Sequence, residues 1–91
     1  MKIIVNITCW RRPNYLEKTI LALKECYKYS NFSYRVLVDA GYPYQQKLMK
    51  EIITKHDFKC EFFVHNKRMG CAGNVGYAFL SSFDSYKADA V

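Results

Sequence analysis

The chain is short of the residues that mark specialised scaffolds. It has two prolines and four glycines in 91 residues, which excludes collagen-like and low-complexity structure. No internal repeat or linker interrupts it, so the length fits a single small domain over residues 1–91. No apolar run approaches the length of a membrane span. The longest near the N-terminus, Ile3 to Ile7, is broken by Asn6 and lacks the small-residue cleavage site of a signal peptide. The four cysteines form no C-x-x-C pair, and neither histidine sits at zinc-finger spacing. They read as reduced, mostly buried thiols, a pattern that fits a cytoplasmic or cytosol-facing protein. Acids are scarce as well. Eight Asp and Glu stand against fourteen Lys and Arg, a net charge of +6, which favours anionic partners such as nucleotides, phosphosugars, nucleic acid or acidic lipid headgroups.

What is present is globular material, 51% hydrophobic, with eight tyrosines that suit the walls of a polar cleft. Residues 2–9, KIIVNITC, are apolar and β-branched, as a strand covered on both faces must be. Pro13 suits a first helical turn, and Leu16, Ile20, Leu23 and Tyr27 form one helical stripe ending near Ser30 and Asn31. YRVLVDA, residues 34–40, is a second strand. A helix with Leu48, Met49, Ile52 and Ile53 follows Pro43 and ends around His56 and Asp57. CEFFVHN, residues 60–66, is a third strand. After it, Gly70, Gly73 and Gly76 loosen the chain before Val75, Ala78 and Phe79 give a short helical face. KADAV, at the end, reads as the opening of a fourth strand. The order β-α-β-α-β-α-(β) predicts an α/β fold with a mainly parallel sheet and right-handed crossovers.

Ligands on such sheets bind beyond the carboxyl ends of the strands. Three segments are expected to share that rim: Thr8 to Arg12, Asp39 to Tyr42, and Asn66 to Asn74. Arg11 and Arg12 carry permanent, forked donors that match phosphate oxygens, at a helix start where an anion is favourable. A solvated basic corner, paired along the helix with Glu17, is the plainer reading. Asp39 is placed to accept hydrogen bonds from a base or ribose, or to cap the turn that follows it. The glycines of NKRMGCAGNVGYA allow close backbone approach beside Lys67 and Arg68, or serve only a tight connection. That segment is neither the dinucleotide fingerprint nor a P-loop. His56 is expected to end a helix, where positive charge is favourable, and His65 to alternate outward on its strand. Asp84 and Asp89 stand alone, and no Ser/His/Asp set or paired carboxylates can be assembled.

In order and spacing these segments resemble the N-terminal half of GT-A-type glycosyltransferases, most nearly family 2. The first strand runs into TCWRRPNYLEKTILAL, like the family's T-x-N-R-x-x-x-L-x-x-x-L-x-S-L. The second ends in VLVDAG, like V-V-D-D-G. The third leads into HNKRMGCAGNVGYAF, like N-x-x-x-G-x-x-x-A-R-N-x-G. The resemblance covers essentially the whole chain and implies a Rossmann-like nucleotide-binding half and a nucleotide-diphosphate-sugar donor. Thr8 and Arg11 or Arg12 would line the nucleotide pocket, and Asp39 would hold the base or ribose. Asn66, Arg68 and Asn74 would border the nucleotide and the sugar. Two positions depart from the family pattern: Ala40 replaces its second acid, and Gly73 replaces the arginine before Asn74.

The resemblance further implies Mn²⁺ or Mg²⁺ across the diphosphate, held by an acidic motif after a fourth strand. That motif is absent from this chain, which reads as a truncated piece, inactive alone as a transferase. The acceptor is not identified. The alternatives are a non-catalytic module for nucleotides or single-stranded nucleic acid, against which the tyrosines are scattered without a stacking pair, and a dinucleotide enzyme, against which the first strand lacks its glycines. An open sheet edge and uncovered apolar surface would invite self-association.

Overall fold

Three segments pair as parallel strands, and helices cover both faces of the sheet they form. The strands are β1 (Ile4–Cys9), β2 (Ser33–Val38) and β3 (Glu61–Val64), in the order β1-β2-β3. The helices α1 (Pro13–Lys24), α2 (Pro43–Lys55) and α3 (Gly70–Asp84) alternate with them. The computed structural model describes residues 2–10, 12–26, 28–84 and 88–89. The result is an α/β fold of coarse Rossmann-like type. Among the described residues no helix is long and apolar enough to cross a membrane.

Pro13 and Pro43 each occupy a first helical position, where proline loses nothing because that N–H has no intrahelical acceptor. The predicted first helix is shorter than its apolar stripe. α1 stops at Lys24, and a 3-10 turn over Tyr29–Asn31 leads into β2; Tyr27 lies outside the described residues. α2 ends at a left-handed residue, Asp57 with φ 49°. There the N–H groups of Asp57 and Phe58 turn back to the carbonyls of Thr54 and Ile53, closing the helix end.

α1 and α2 cover one face of the sheet. Leu16 and Ile20 of α1 and Met49 of α2 pack on Tyr34, Val36 and Val38 of β2, with Phe58 closing the far end. Tyr34, Tyr29 and Phe58 stack there, and the Tyr34 hydroxyl donates to the Tyr29 carbonyl at 2.7 Å. A clasp joins the two helices outside this core. Glu17 of α1 meets His56 at 2.8 Å and Lys55 at 3.5 Å, and Lys24 donates to the His56 carbonyl. Glu17 thus faces α2 and not the arginine corner that the sequence suggested as its partner.

α3 covers the opposite face, over β1 and β2, and its core is polar. It buries Asn74, Ala78 and Ser82; of the expected face of Val75, Ala78 and Phe79, Ala78 is inside and the other two are exposed. Nor do the glycines leave a loose segment, because the helix begins at Gly70 and runs through Gly73 and Gly76. The buried stripe is offset by one residue because the sheet presents polar groups. The Asn6 amide donates to Ser82 Oγ at 2.9 Å, and the buried Arg35 donates to Ser81 and Ser82 Oγ at 3.0 and 3.1 Å. Of the expected fourth strand, Lys87, Ala90 and Val91 lie outside the described residues. The Asp89 N–H donates to the Lys2 carbonyl at 2.7 Å, beside β1.

Ile20 is fully buried, so Ile20→Ala is expected to lower the unfolding free energy by about 3 kcal/mol. Val75→Ala, at a half-exposed position, should change it by less than about 0.5 kcal/mol. Urea denaturation checks both, and similar losses for the two would contradict the assigned core.

Candidate functional site

Parallel pairing brings the carboxyl ends of all three strands to one rim. Cys9 stands beside Val38, and Val38 beside Val64. The helices that follow begin at that rim, and none has an acid in its first turn. The partial positive charge of the α1 and α2 N-termini is therefore left for a ligand or solvent.

Asp39 follows β2 directly and is 4% exposed. Its Oδ1 accepts the N–H groups of Ala40 at 2.9 Å and Met69 at 2.6 Å, and its Oδ2 accepts that of Gly70 at 2.9 Å. The carboxylate therefore caps the start of α3 from across the sheet. Gly70 has φ +75°, a conformation glycine takes without strain. Burial pushes the Asp39 carboxyl up. The N–H groups of Met69, Ala40 and Gly70 outweigh it, with His65 acting in the same direction, and hold the carboxyl below its ordinary value. A carboxylate has about four lone-pair positions, and three are filled.

The turn held by Asp39 carries Arg68. Its guanidinium lies over the Trp10 ring, 3.9 Å from the centroid. Trp10 is fixed from the other side by its Nε1–H, which donates to the Ala40 carbonyl at 3.1 Å. A Cβ on Gly41 would fall 2.8 Å from Trp10 Nε1, so glycine is required for this approach. Trp10 separates two clefts. One, of about 260 Å³, is lined by Thr8, Trp10, Asp39, Arg68, Cys71 and Asn74 among others. The other, of about 280 Å³, lies on the α1 side and takes in Trp10, Arg12, Tyr15 and Thr19. The Arg12 guanidinium sits 5.3 Å from the centre of the exposed Tyr15 ring.

The expected site residues divide accordingly. Thr8 is exposed and lines both clefts; Arg12, Asp39 and Arg68 converge around Trp10. Arg11 lies outside the described residues. Asn66 is exposed on the loop and is not among the residues lining the two clefts. Asn74 touches the first cleft but is buried, with its amide already engaged. Nδ2 donates to the Leu37 carbonyl at 3.1 Å, and Oδ1 meets His65 Nε2 at 2.8 Å. Since Nδ2 is the donor to a carbonyl, Oδ1 accepts, and His65 Nε2 carries the hydrogen. His65 is buried and does not alternate outward as expected, because α3 covers that face of β3's end; Phe63 and Tyr77 pack edge-on around the ring.

Trp10 was the residue that motif spacing passed over. Its signal was its position, a single tryptophan where the first strand ends. The cysteines also differ from expectation, since Cys26 and Cys71 are exposed. Cys9, in the wall of both clefts, has its thiol pushed up to about 11 by burial and stays protonated at neutral pH, unlike a thiolate nucleophile.

Among the described residues no three His, Cys, Asp or Glu side chains gather to hold a metal ion, and the oxygens of Asp39 are engaged by backbone N–H groups. No protein family, curated protein or solved structure matches the chain.

Asp39→Asn replaces one acceptor oxygen with a donor facing an N–H, and is expected to cost about 1–3 kcal/mol. The native carboxyl titrates below its unfolded counterpart. Its stabilisation is therefore complete above about pH 4, where an unfolded aspartate ionises, and is lost as pH falls through the lower folded value. Denaturation curves against pH should show the variant lacking this acid-limb loss. An unchanged acid limb would contradict the role given to Asp39.

Proposed function

We propose that the chain binds a nucleotide-diphosphate sugar and forms the nucleotide-binding part of a glycosyltransferase that passes the sugar to an acceptor. The observation that carries this reading is the meeting of Trp10, Asp39 and Arg68 in one cleft beyond the strand ends. There α1 and α3 leave the sheet on opposite faces, and open α/β sheets bind ligands at such a divergence.

Each group has a physical part. Trp10 offers an aromatic face for a base, and Thr8 a hydroxyl at the mouth. Arg12 and Arg68 are the cations that flank them. Arg68 now rests on Trp10, in a contact worth about 0.5–1 kcal/mol at an exposed site. A hydrogen bond to a charged phosphate is worth about 1.5–3 kcal/mol, so a diphosphate draws the guanidinium off the ring and frees that face for the base. Asp39 is a positioning residue in this account. It holds the Met69–Gly70 turn, and with it Arg68, and has one lone-pair position left for ribose or base.

Trp10 is the single tryptophan, so its fluorescence reports on the cleft alone. Titration with UDP-type or GDP-type nucleotide sugars should shift its emission saturably, and Arg68→Ala should weaken binding about tenfold or more, the loss of roughly 1.4 kcal/mol. A failure to respond to either nucleotide, together with steeply salt-dependent binding of single-stranded oligonucleotides, would replace this reading with a nucleic-acid module. The chain alone is expected to show no sugar transfer in a radiolabel assay.

A further inference from the structure

The geometry points to Arg68 as a strap over Trp10 that couples the two halves of a nucleotide, an assignment that rests on the nucleotide reading above. The strap occludes the indole until a diphosphate withdraws it, so phosphate binding promotes base binding. Arg68 lines the cleft of Asp39, Cys71 and Asn74 and not the cleft beside α1, whereas Trp10 lines both. The guanidinium therefore covers the indole on the α3 side. Its central carbon lies 3.9 Å from the ring centroid, so a base cannot slip between the two planes.

One partner in this contact is fixed and the other is not. The indole N–H donates to the Ala40 carbonyl at 3.1 Å. Gly41 packs so closely that a Cβ there would fall 2.8 Å from the same nitrogen. Turning the ring to evade the guanidinium would break that bond. Arg68 is exposed, and its anchoring stops at the backbone. Asp39 accepts the N–H groups of Met69 at 2.6 Å and of Gly70 at 2.9 Å. The guanidinium can swing on its own side-chain torsions, as exposed side chains do, while the turn beneath it stays in place.

The two halves of a nucleotide meet this strap differently. A neutral nucleoside offers the guanidinium no charge, and must displace it in order to stack. A pyrophosphate group offers anionic oxygens that match its forked donors. It holds Arg68 off the ring, and the base then stacks on a face already uncovered. At the strength of an exposed cation–π contact, the closed strap weakens nucleoside binding about three- to sixfold. Pyrophosphate removes that handicap, and by linkage the nucleoside tightens pyrophosphate by the same factor. The cleft thus discriminates against bare nucleosides by more than the lost phosphate contacts alone.

The Trp10 indole N–H resonance reads this coupling as uridine or guanosine is titrated. Each titration is run with saturating inorganic pyrophosphate and with sodium chloride at matched ionic strength. The native chain should bind the nucleoside about three- to sixfold more tightly when pyrophosphate is present. Arg68→Ala, on an exposed loop, should keep the native circular dichroism spectrum and bind pyrophosphate more weakly. It should bind the nucleoside alone about three- to sixfold more tightly than the native chain does, with no coupling left. A residue that merely props the cleft would weaken both ligands when removed. Three results overturn the strap while UDP or GDP still binds: independent or competing binding of nucleoside and pyrophosphate, a variant that loses affinity for both, or nucleosides that bind neither protein. A native chain that binds neither UDP nor GDP removes the nucleotide reading, and the strap with it.

Discussion

The carboxylate of Asp39 ties the two halves of the rim together. It stands at the end of the central strand and accepts three backbone N–H groups, one from its own turn and two from the start of α3. Charge-assisted bonds of this kind are shorter and about twice as strong as neutral ones. They spend the electropositive end of α3 inside the protein and leave those of α1 and α2 facing outward. The same bonds set the path of the chain through Met69 and Gly70, and so hold Arg68 above Trp10. The cleft is a consequence of this clasp.

Behind the rim, the two faces of the sheet are built on different physics. Under α1 and α2 the contacts are apolar and non-directional, and supply the bulk of the burial energy. Under α3 they are hydrogen bonds from Asn6, Arg35, Asn74 and His65. Each contributes little net stability, but a mispaired buried polar group costs about 1–3 kcal/mol. This face therefore selects one helix placement and penalises a register slip. Asn74 shows the connection most directly: at the wall of the cleft it bridges the Leu37 carbonyl of β2 to His65, and so fixes the helix whose first residues Asp39 caps.

The alternation of strands and helices was legible because β-branched runs and four-residue apolar stripes report local geometry. The three rim segments followed from parallel topology, and their convergence is seen in the Asp39, Trp10 and Arg68 contacts. The plainer turn-capping reading of Asp39 also proved physically apt, although the cap reaches a helix about thirty residues away, which no local pattern encodes. α3 departs from its sequence pattern for a related reason. Its glycines suggested a loose segment and its largest apolar residues a packed face, but the sheet beneath offers polar partners, so Asn74 and Ser82 go inside. His65 was placed outward by strict alternation, which cannot register that α3 returns across that face. Neither Trp10's role nor the engagement of Asn74 could be inferred without knowing what lay opposite.

The cleft is held by Asp39 and faced by Trp10, and amide and indole chemical-shift mapping during addition of a nucleoside-diphosphate sugar tests its proposed role most directly. The expected result is a set of shifts concentrated at the Trp10 indole, Ala40, Met69, Gly70 and the Arg12 end of α1. Shifts centred on the opposite pole of the sheet, around Lys2, Ser33 and Glu61, or no saturable shifts at all, would contradict it.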